Sequence, residues 1–138
     1  MQRRNRDRGE SSMWKRLREE RGDTAVSFVG LFPLFLAVML FLVQVGMYYQ
    51  ATMVAQAAAD AGFHAARVAE GSAADGYAAA QQVIAQHGQT LQGASVQIAG
   101  GGTQMTVTVQ GTSQTLIGDW SVPAVQKVVS GPTERVVQ

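Results

Sequence analysis

The chain has 138 residues, of which 46% are hydrophobic and 15% are charged, and it contains no cysteine. This length allows a single small domain, and the composition excludes disulfide bonds and cysteine-based catalysis. The charge is uneven along the chain, because residues 1–22 carry a net charge of +4 whereas the residues after position 50 carry a net charge of −2.

Residues 26–47 form a charge-free apolar segment that follows this basic leader almost directly. As a helix, these 22 residues would reach about 33 Å, enough to cross a hydrocarbon core of about 30 Å. Tyr48 and Tyr49 come next, where aromatic rings suit the outer interface of the membrane. The excess of Lys and Arg before the segment favours a cytoplasmic N-terminus, so the sequence predicts a single membrane span.

The junction between leader and apolar segment reads GDTAVSF, from Gly22 to Phe28. It resembles a type IV prepilin processing site, and more closely that of the TadE-like proteins of the Tad (tight adherence) pilus system. The resemblance implies that a membrane-embedded prepilin peptidase cuts after Gly22, which leaves Asp23 as the new N-terminus. Glycine also suits this position physically, because it lets the chain leave a helix and lie extended in a protease groove.

One residue departs from the pilin pattern. Pilins usually carry Glu five residues into the mature chain, and that position is Ser27 here. In the family this glutamate is thought to pair with the terminal amine of a neighbouring subunit, which a serine cannot do. Three interpretations stay open, of which we prefer the first: a minor subunit, a tip or initiator subunit without a preceding neighbour, or a membrane protein outside the filament.

Residues 50–70 continue the helical character, with nine alanines among residues 51–69. Alanine has the highest helix propensity, so we expect the membrane helix to continue outward. Small apolar residues recur along this part at alternating spacings of four and three, which predicts a stripe for packing against neighbouring helices or the chain's own sheet. The stripe consists of Val54, Ala58, Ala61, Ala65 and Val68.

A second helix is expected after Gly71. Ser72 and Asp75 have the spacing of a capping box, and Gly88 is a natural residue just past a helix end. These signals predict a helix over residues 73–87.

The remaining residues carry strand signals. Polar and β-branched residues alternate on both sides of Gly100–Gly102, which predicts an antiparallel hairpin with one solvated face. Residues 121–129 are apolar enough for a third strand, in which Pro123 is confined to an edge strand or to the start of a strand.

The predicted fold is therefore α+β and pilin-like. It has a long N-terminal transmembrane helix that continues outward, a second helix and a small antiparallel sheet of about three strands. The expected segments are a basic cytoplasmic leader (1–22), a transmembrane helix (23–49), its extracytoplasmic continuation (50–70) and a small α+β head (71–138).

Enzymatic chemistry finds little support in the sequence. It has no nucleophile elbow, no His/Asp/Glu cluster with metal-ligand spacing and no pair of carboxylates that the predicted fold brings together. We therefore expect no catalytic residues, no metal, no cofactor and no small-molecule substrate. The basic cluster is the leader, which suits anionic lipid and membrane orientation, so nucleic acid is not an expected partner.

The resemblance implies a single-pass membrane subunit that acts as a minor or assembly component of a Tad-type pilus or a related secretion pseudopilus. Its implied partners are other pilin-like subunits, the prepilin peptidase, a Tad-type assembly platform and membrane lipid. The implied location is the cell membrane with the head extracytoplasmic, or an extracellular filament after processing.

Two alternatives stay open. One is an uncleaved signal-anchored membrane protein whose head binds an envelope or secretion partner. The other is a secreted head that signal peptidase releases near Ala57 or Ala59.

Overall fold

The computed structural model describes residues 7–68, 71–101, 103–116, 118 and 123–133. Its elements are helix α1 (Asp7–Arg67), helix α2 (Ala73–Gln86), a 3-10 turn (Gly88–Thr90) and strands β1 (Leu91–Gly101), β2 (Gln104–Ser113) and β3 (Ala124–Pro132). The predicted α+β fold, with a long first helix, a second helix and a three-stranded antiparallel sheet, is confirmed.

Helix α1 begins inside the basic leader, at Asp7, and ends at Arg67. The leader is rich in Glu, Arg and Lys, which are good helix formers, and the alanine-rich segment extends the helix at its other end. Beyond the helix the amide of Gly71 donates a hydrogen bond of 2.8 Å to the carbonyl of Val68. The chain forms two compact units, Met1–Phe41 and Leu42–Gln138, and the second contains the C-terminal part of α1 together with α2 and the sheet.

Helix α2 begins with the predicted capping box. The Ser72 hydroxyl accepts a hydrogen bond from the Asp75 amide at 3.2 Å, and the Ser72 amide donates to the Asp75 carboxylate at 2.9 Å. The Ser72 hydroxyl also donates to that carboxylate, and these side-chain and backbone bonds to the ionised form lower the pKa of Asp75 below its ordinary value of 3.8. Past the end of α2, Gly88 has a φ of +57°, a left-handed conformation that favours glycine.

The three strands lie in the order β1-β2-β3, so that β2 is central and β3 is an edge strand, and Pro123 directly precedes the first residue of β3. Val109 pairs with Val96 of β1, and Val107 pairs with Val129 of β3. Met105, Val107 and Val109 of β2 are buried and the polar residues that alternate with them are exposed or half-buried, which confirms the predicted alternation; Ser113 at the end of the strand is also buried. β3 begins at Ala124, and positions 121 and 122 of the strand prediction lie outside the described residues.

The core lies between the sheet and the two helices. α1 and α2 cross at two glycines, where a Cβ on Gly76 would lie only 2.7 Å from the carbonyl oxygen of Gly62. At the same crossing, a Cβ on Gly62 would lie 3.3 Å from the Val107 side chain of the central strand. Further along α1, the buried Phe63 ring packs against Gly131 of β3. Residues 51–66 of α1 therefore form one wall of the core.

Candidate functional site: the exposed surface of helix α1

The apolar segment of α1 is exposed along its length. Every large hydrophobic side chain from Val26 to Val43 is between 39% and 72% exposed, so the described chain leaves this surface uncovered. Among the described residues, one helix segment, Thr24–Arg67, is long and apolar enough to cross a membrane. An apolar surface of this extent is expected to lie in lipid or against other apolar helices.

The predicted processing residues lie inside α1. Gly22 is exposed, and a Cβ placed on it would meet no atom within 4 Å. Asp23 follows in the same helical turn, and Ser27 lies exposed one turn later. A protease cuts an extended chain, so the helix would have to open at this point, and glycine lowers the cost of opening by about 1 kcal/mol relative to alanine. Processing between Gly22 and Asp23 stays a prediction.

The stripe predicted for helix packing divides between the interior and the surface. Val54 and Ala58 are buried against the chain's own head, whereas Ala61 and Ala65 are half-buried. Val68 is 57% exposed and follows the last residue of the helix. The buried face of α1 consists of Ala51, Val54, Ala55, Ala58, Ala59, Gly62, Phe63 and Ala66. Packing of the predicted stripe against a neighbouring subunit stays a prediction.

A second apolar strip of α1 remains accessible beside the head. Tyr49 and Met53 are 65% and 55% exposed, and Ala57 is exposed one turn further on. They border an open groove of about 510 Å³ that α1 forms with the end of α2 and the 3-10 turn. The groove is lined by Tyr49, Gln50, Met53, Val54, Ala57, His87 and Thr90. This strip gives α1 an exposed apolar surface beside the head as well.

The polar side chains near the end of α1 bind one another or a neighbouring ring. The Gln56 amide donates to both carboxylate oxygens of Asp60 at 3.2 Å. The Arg67 guanidinium lies over the Phe63 ring at 5.6 Å, and the His64 ring packs edge-on against the same ring. No group of three or more His, Cys, Asp or Glu among the described residues could hold a metal ion.

The structure also gives a role to Gln44, a polar residue within the apolar segment of residues 26–47. The Gln44 side-chain amide donates to the carbonyl of Gln114 at 3.0 Å, and its oxygen accepts from the amide of Leu116 at 3.1 Å. A single glutamine thus binds the backbone of the connection between β2 and β3, 70 positions away in sequence. The signal was its position, because a glutamine in a charge-free apolar helix needs a partner for both ends of its amide.

The comparison with protein families matches this same helix. A family model described as TadE-like protein matches residues 22–64. These residues are TadE-like. The TadE-like segment begins at Gly22, includes Ser27 and the whole exposed apolar surface, and reaches the part of α1 that packs under the sheet. The match confirms the resemblance found in the sequence, and the TadE-like family is not an enzyme family.

The other two comparisons add no relative. Neither the curated proteins nor the solved structures yielded a match to the chain.

Proposed function

We propose that this protein is a single-pass, prepilin-like membrane subunit that is processed after Gly22 and acts as a minor or assembly component of a Tad-type pilus or a related secretion pseudopilus. One observation carries the proposal. The TadE-like match starts at Gly22 and covers the helix whose apolar side chains the described chain leaves exposed. A helix of this kind can be held first by lipid and later by the helices of like subunits.

The proposed orientation follows from the charge of the leader. The net charge of +4 in residues 1–22 resists translocation, so the N-terminus stays in the cytoplasm and the head lies outside. Removal of the leader would leave Asp23 at the membrane surface and the helix anchored by its apolar segment. After assembly, the same subunit would lie in an extracellular filament.

The proposed partners are other pilin-like subunits, the prepilin peptidase and a Tad-type assembly platform. The exposed strip of Tyr49, Met53 and Ala57 and the apolar segment before it supply the surface for helix packing between subunits. Ser27 supports a low-copy role, because it cannot form the ion pair that glutamate makes with a neighbouring N-terminus. Quantitative mass spectrometry of sheared filaments tests this role, with far fewer copies of this chain than of the main pilin expected.

The decisive experiment is mass spectrometry of the N-terminus in cells that contain an active prepilin peptidase. The native chain should begin at Asp23, and a Gly22→Leu variant should keep residues 1–22, because a bulky side chain blocks the groove next to the cleaved bond. Gly30→Leu is the matched control, since a Cβ on Gly30 also meets no atom within 4 Å. That variant should be processed normally.

A native chain that keeps its leader in such cells would contradict the proposal. So would a mature chain that still begins at Asp23 in Gly22→Leu, because the cut would then not depend on the glycine.

A second candidate is an uncleaved, signal-anchored membrane protein whose head binds an envelope or secretion partner. Two observations favour it: Ser27 replaces the usual glutamate, and α1 runs through Gly22 without a break. The same measurement separates the candidates, because this one retains residues 1–22 in the membrane.

A further inference from the structure

We infer that the connection between β2 and β3, at Gln114–Leu116, is a second membrane contact, held at the outer lipid interface by Gln44. The inference rests on the proposed membrane anchoring of α1. It assigns a lipid-facing role to a part of the head that lies outside the TadE-like match at residues 22–64.

The position of Gln44 along α1 is the first argument. As a helix, residues 24–43 would span about 30 Å at 1.5 Å per residue, which equals the usual thickness of the hydrocarbon core. Gln44 is the next residue, and it is the first polar residue on the outer side of this segment. The outer boundary of the hydrocarbon therefore lies near Gln44 rather than after Tyr49, where the transmembrane helix predicted from the sequence ends.

The second argument is the two-point bond between Gln44 and the connection. The amide donor of Gln44 binds the Gln114 carbonyl, and its acceptor binds the Leu116 amide, at 3.0 and 3.1 Å. A backbone at the edge of lipid cannot leave its polar groups without partners, and neither can a glutamine. Gln44 and the backbone of the connection thus satisfy each other's polar groups, and the two hydrogen bonds hold the connection at the depth of Gln44 in the membrane.

The third argument is the character of the connection itself. Leu116 is 54% exposed although it lies next to the bond with Gln44. The Thr115 hydroxyl donates to the carbonyl of Gly118 at 3.0 Å, which satisfies one more backbone group within the connection. No charged residue occurs in the sequence from position 103 to position 118. Asp119 is the one charged residue in the sequence between β2 and β3, and an exposed leucine three positions before it fits the lipid interface, where burial of apolar surface is favourable.

The occupant of this surface is lipid rather than a second copy of the chain. Leu116 belongs to a connection whose backbone is bonded to Gln44, so a bilayer whose outer boundary lies at Gln44 reaches this connection. A second copy would have to displace that lipid, and the experiment below distinguishes the two.

The absence of cysteine allows single nitroxide labels to be placed without removing native thiols. The full chain is reconstituted in vesicles of phosphatidylcholine and phosphatidylglycerol, and electron paramagnetic resonance measures the collision rate of each label with oxygen and with a water-soluble nickel chelate. Oxygen concentrates in lipid and the chelate stays in water, so the ratio of the two rates reports depth. Labels are placed at Leu116→Cys, at Val38→Cys within the span and at Gln97→Cys on the exposed face of β1.

The expected oxygen-to-nickel ratio at Leu116→Cys is several-fold above that at Gln97→Cys and below that at Val38→Cys. Adding Gln44→Ala to the Leu116→Cys chain should lower the ratio towards the value at Gln97→Cys, because the connection is released. Gln50→Ala is the control, because it removes a different glutamine of α1 that is exposed. This variant should leave the ratio unchanged.

The outcomes separate this inference from the proposed function. If Val38→Cys reports lipid while Leu116→Cys matches Gln97→Cys, the inference is wrong and the membrane anchor stands. If Val38→Cys is as accessible to nickel as Gln97→Cys, the anchor itself fails. A third outcome is that the label at Leu116→Cys is protected from both oxygen and nickel, and that this protection is lost when the protein is diluted in excess lipid. That result would identify a second copy of the chain as the occupant and overturn the inference.

Discussion

The crossing of α1 and α2 predicts that Gly76→Ala destabilises the head. The added Cβ would lie 2.7 Å from the Gly62 carbonyl oxygen, 2.7 Å from the Ala66 Cβ and 2.9 Å from the Ile98 side chain. Ordinary contact begins at 3.4 Å, so the two backbones must separate by about 0.7 Å at a point where the sheet closes the third side. Overpacking of this kind costs about 1–3 kcal/mol, and the higher helix propensity of alanine returns about 1 kcal/mol.

Relative to a variant that gains the same helix propensity without the close contact, the loss is about 1–3 kcal/mol, which corresponds to an increase of about 5–150-fold in the open population. Hydrogen exchange measured by mass spectrometry, on the full chain in detergent, should therefore speed up by this factor in peptides from α2 and β2. Gly46→Ala is the control, because a Cβ there meets no atom within 4 Å while the gain in helix propensity is the same. Equal or slower exchange in Gly76→Ala relative to Gly46→Ala would refute the close crossing.

Three further predictions concern single side chains. The lowered pKa of Asp75 means that its contribution to stability is complete above its ordinary value of 3.8 and is lost as the pH falls through the lower folded value. Exchange at the start of α2 should thus become faster only in acid, and Asp75→Asn should remove that pH dependence. Ser113 is 2% exposed, and its hydroxyl has no hydrogen-bond partner among the described residues. Ser113→Ala should therefore leave the free energy of unfolding, measured by urea titration, unchanged or raise it by up to about 1 kcal/mol. Phe63→Ala should cost about 3–5 kcal/mol and make the head sensitive to limited proteolysis, because the ring fills the space between α1 and Gly131. A proteolysis-resistant Phe63→Ala head would contradict that role.

Local sequence signals predicted the elements of the fold well. The capping box of Ser72 and Asp75 and the glycine after α2 set the ends of the second helix, because helix ends depend on nearby backbone groups. The alternation through Met105, Val107 and Val109 predicted which face of β2 is buried, because one face of a sheet must cover the core.

Contacts between distant parts of the chain were harder to predict. The buried face of α1 runs through Gly62 and Phe63, whereas small-residue spacing had indicated Ala61 and Ala65. The difference arises because the closest approach to α2 requires glycine on both helices, and no local rule identifies a partner such as Gly76. The bond between Gln44 and the β2–β3 connection was missed for the same reason, since its partners are backbone groups with no sequence signal.

The wall that residues 51–66 of α1 supply to the core has a consequence for how the head could be separated from its anchor. A proteolytic nick just after Val68 would cut the covalent link but leave Ala55, Ala58 and Phe63 packed beneath the sheet, so the two pieces should stay associated. Shedding of a free ectodomain would instead require a cut before the alanine-rich turns. A recombinant fragment that keeps the head folded should accordingly include residues 51–66 of α1.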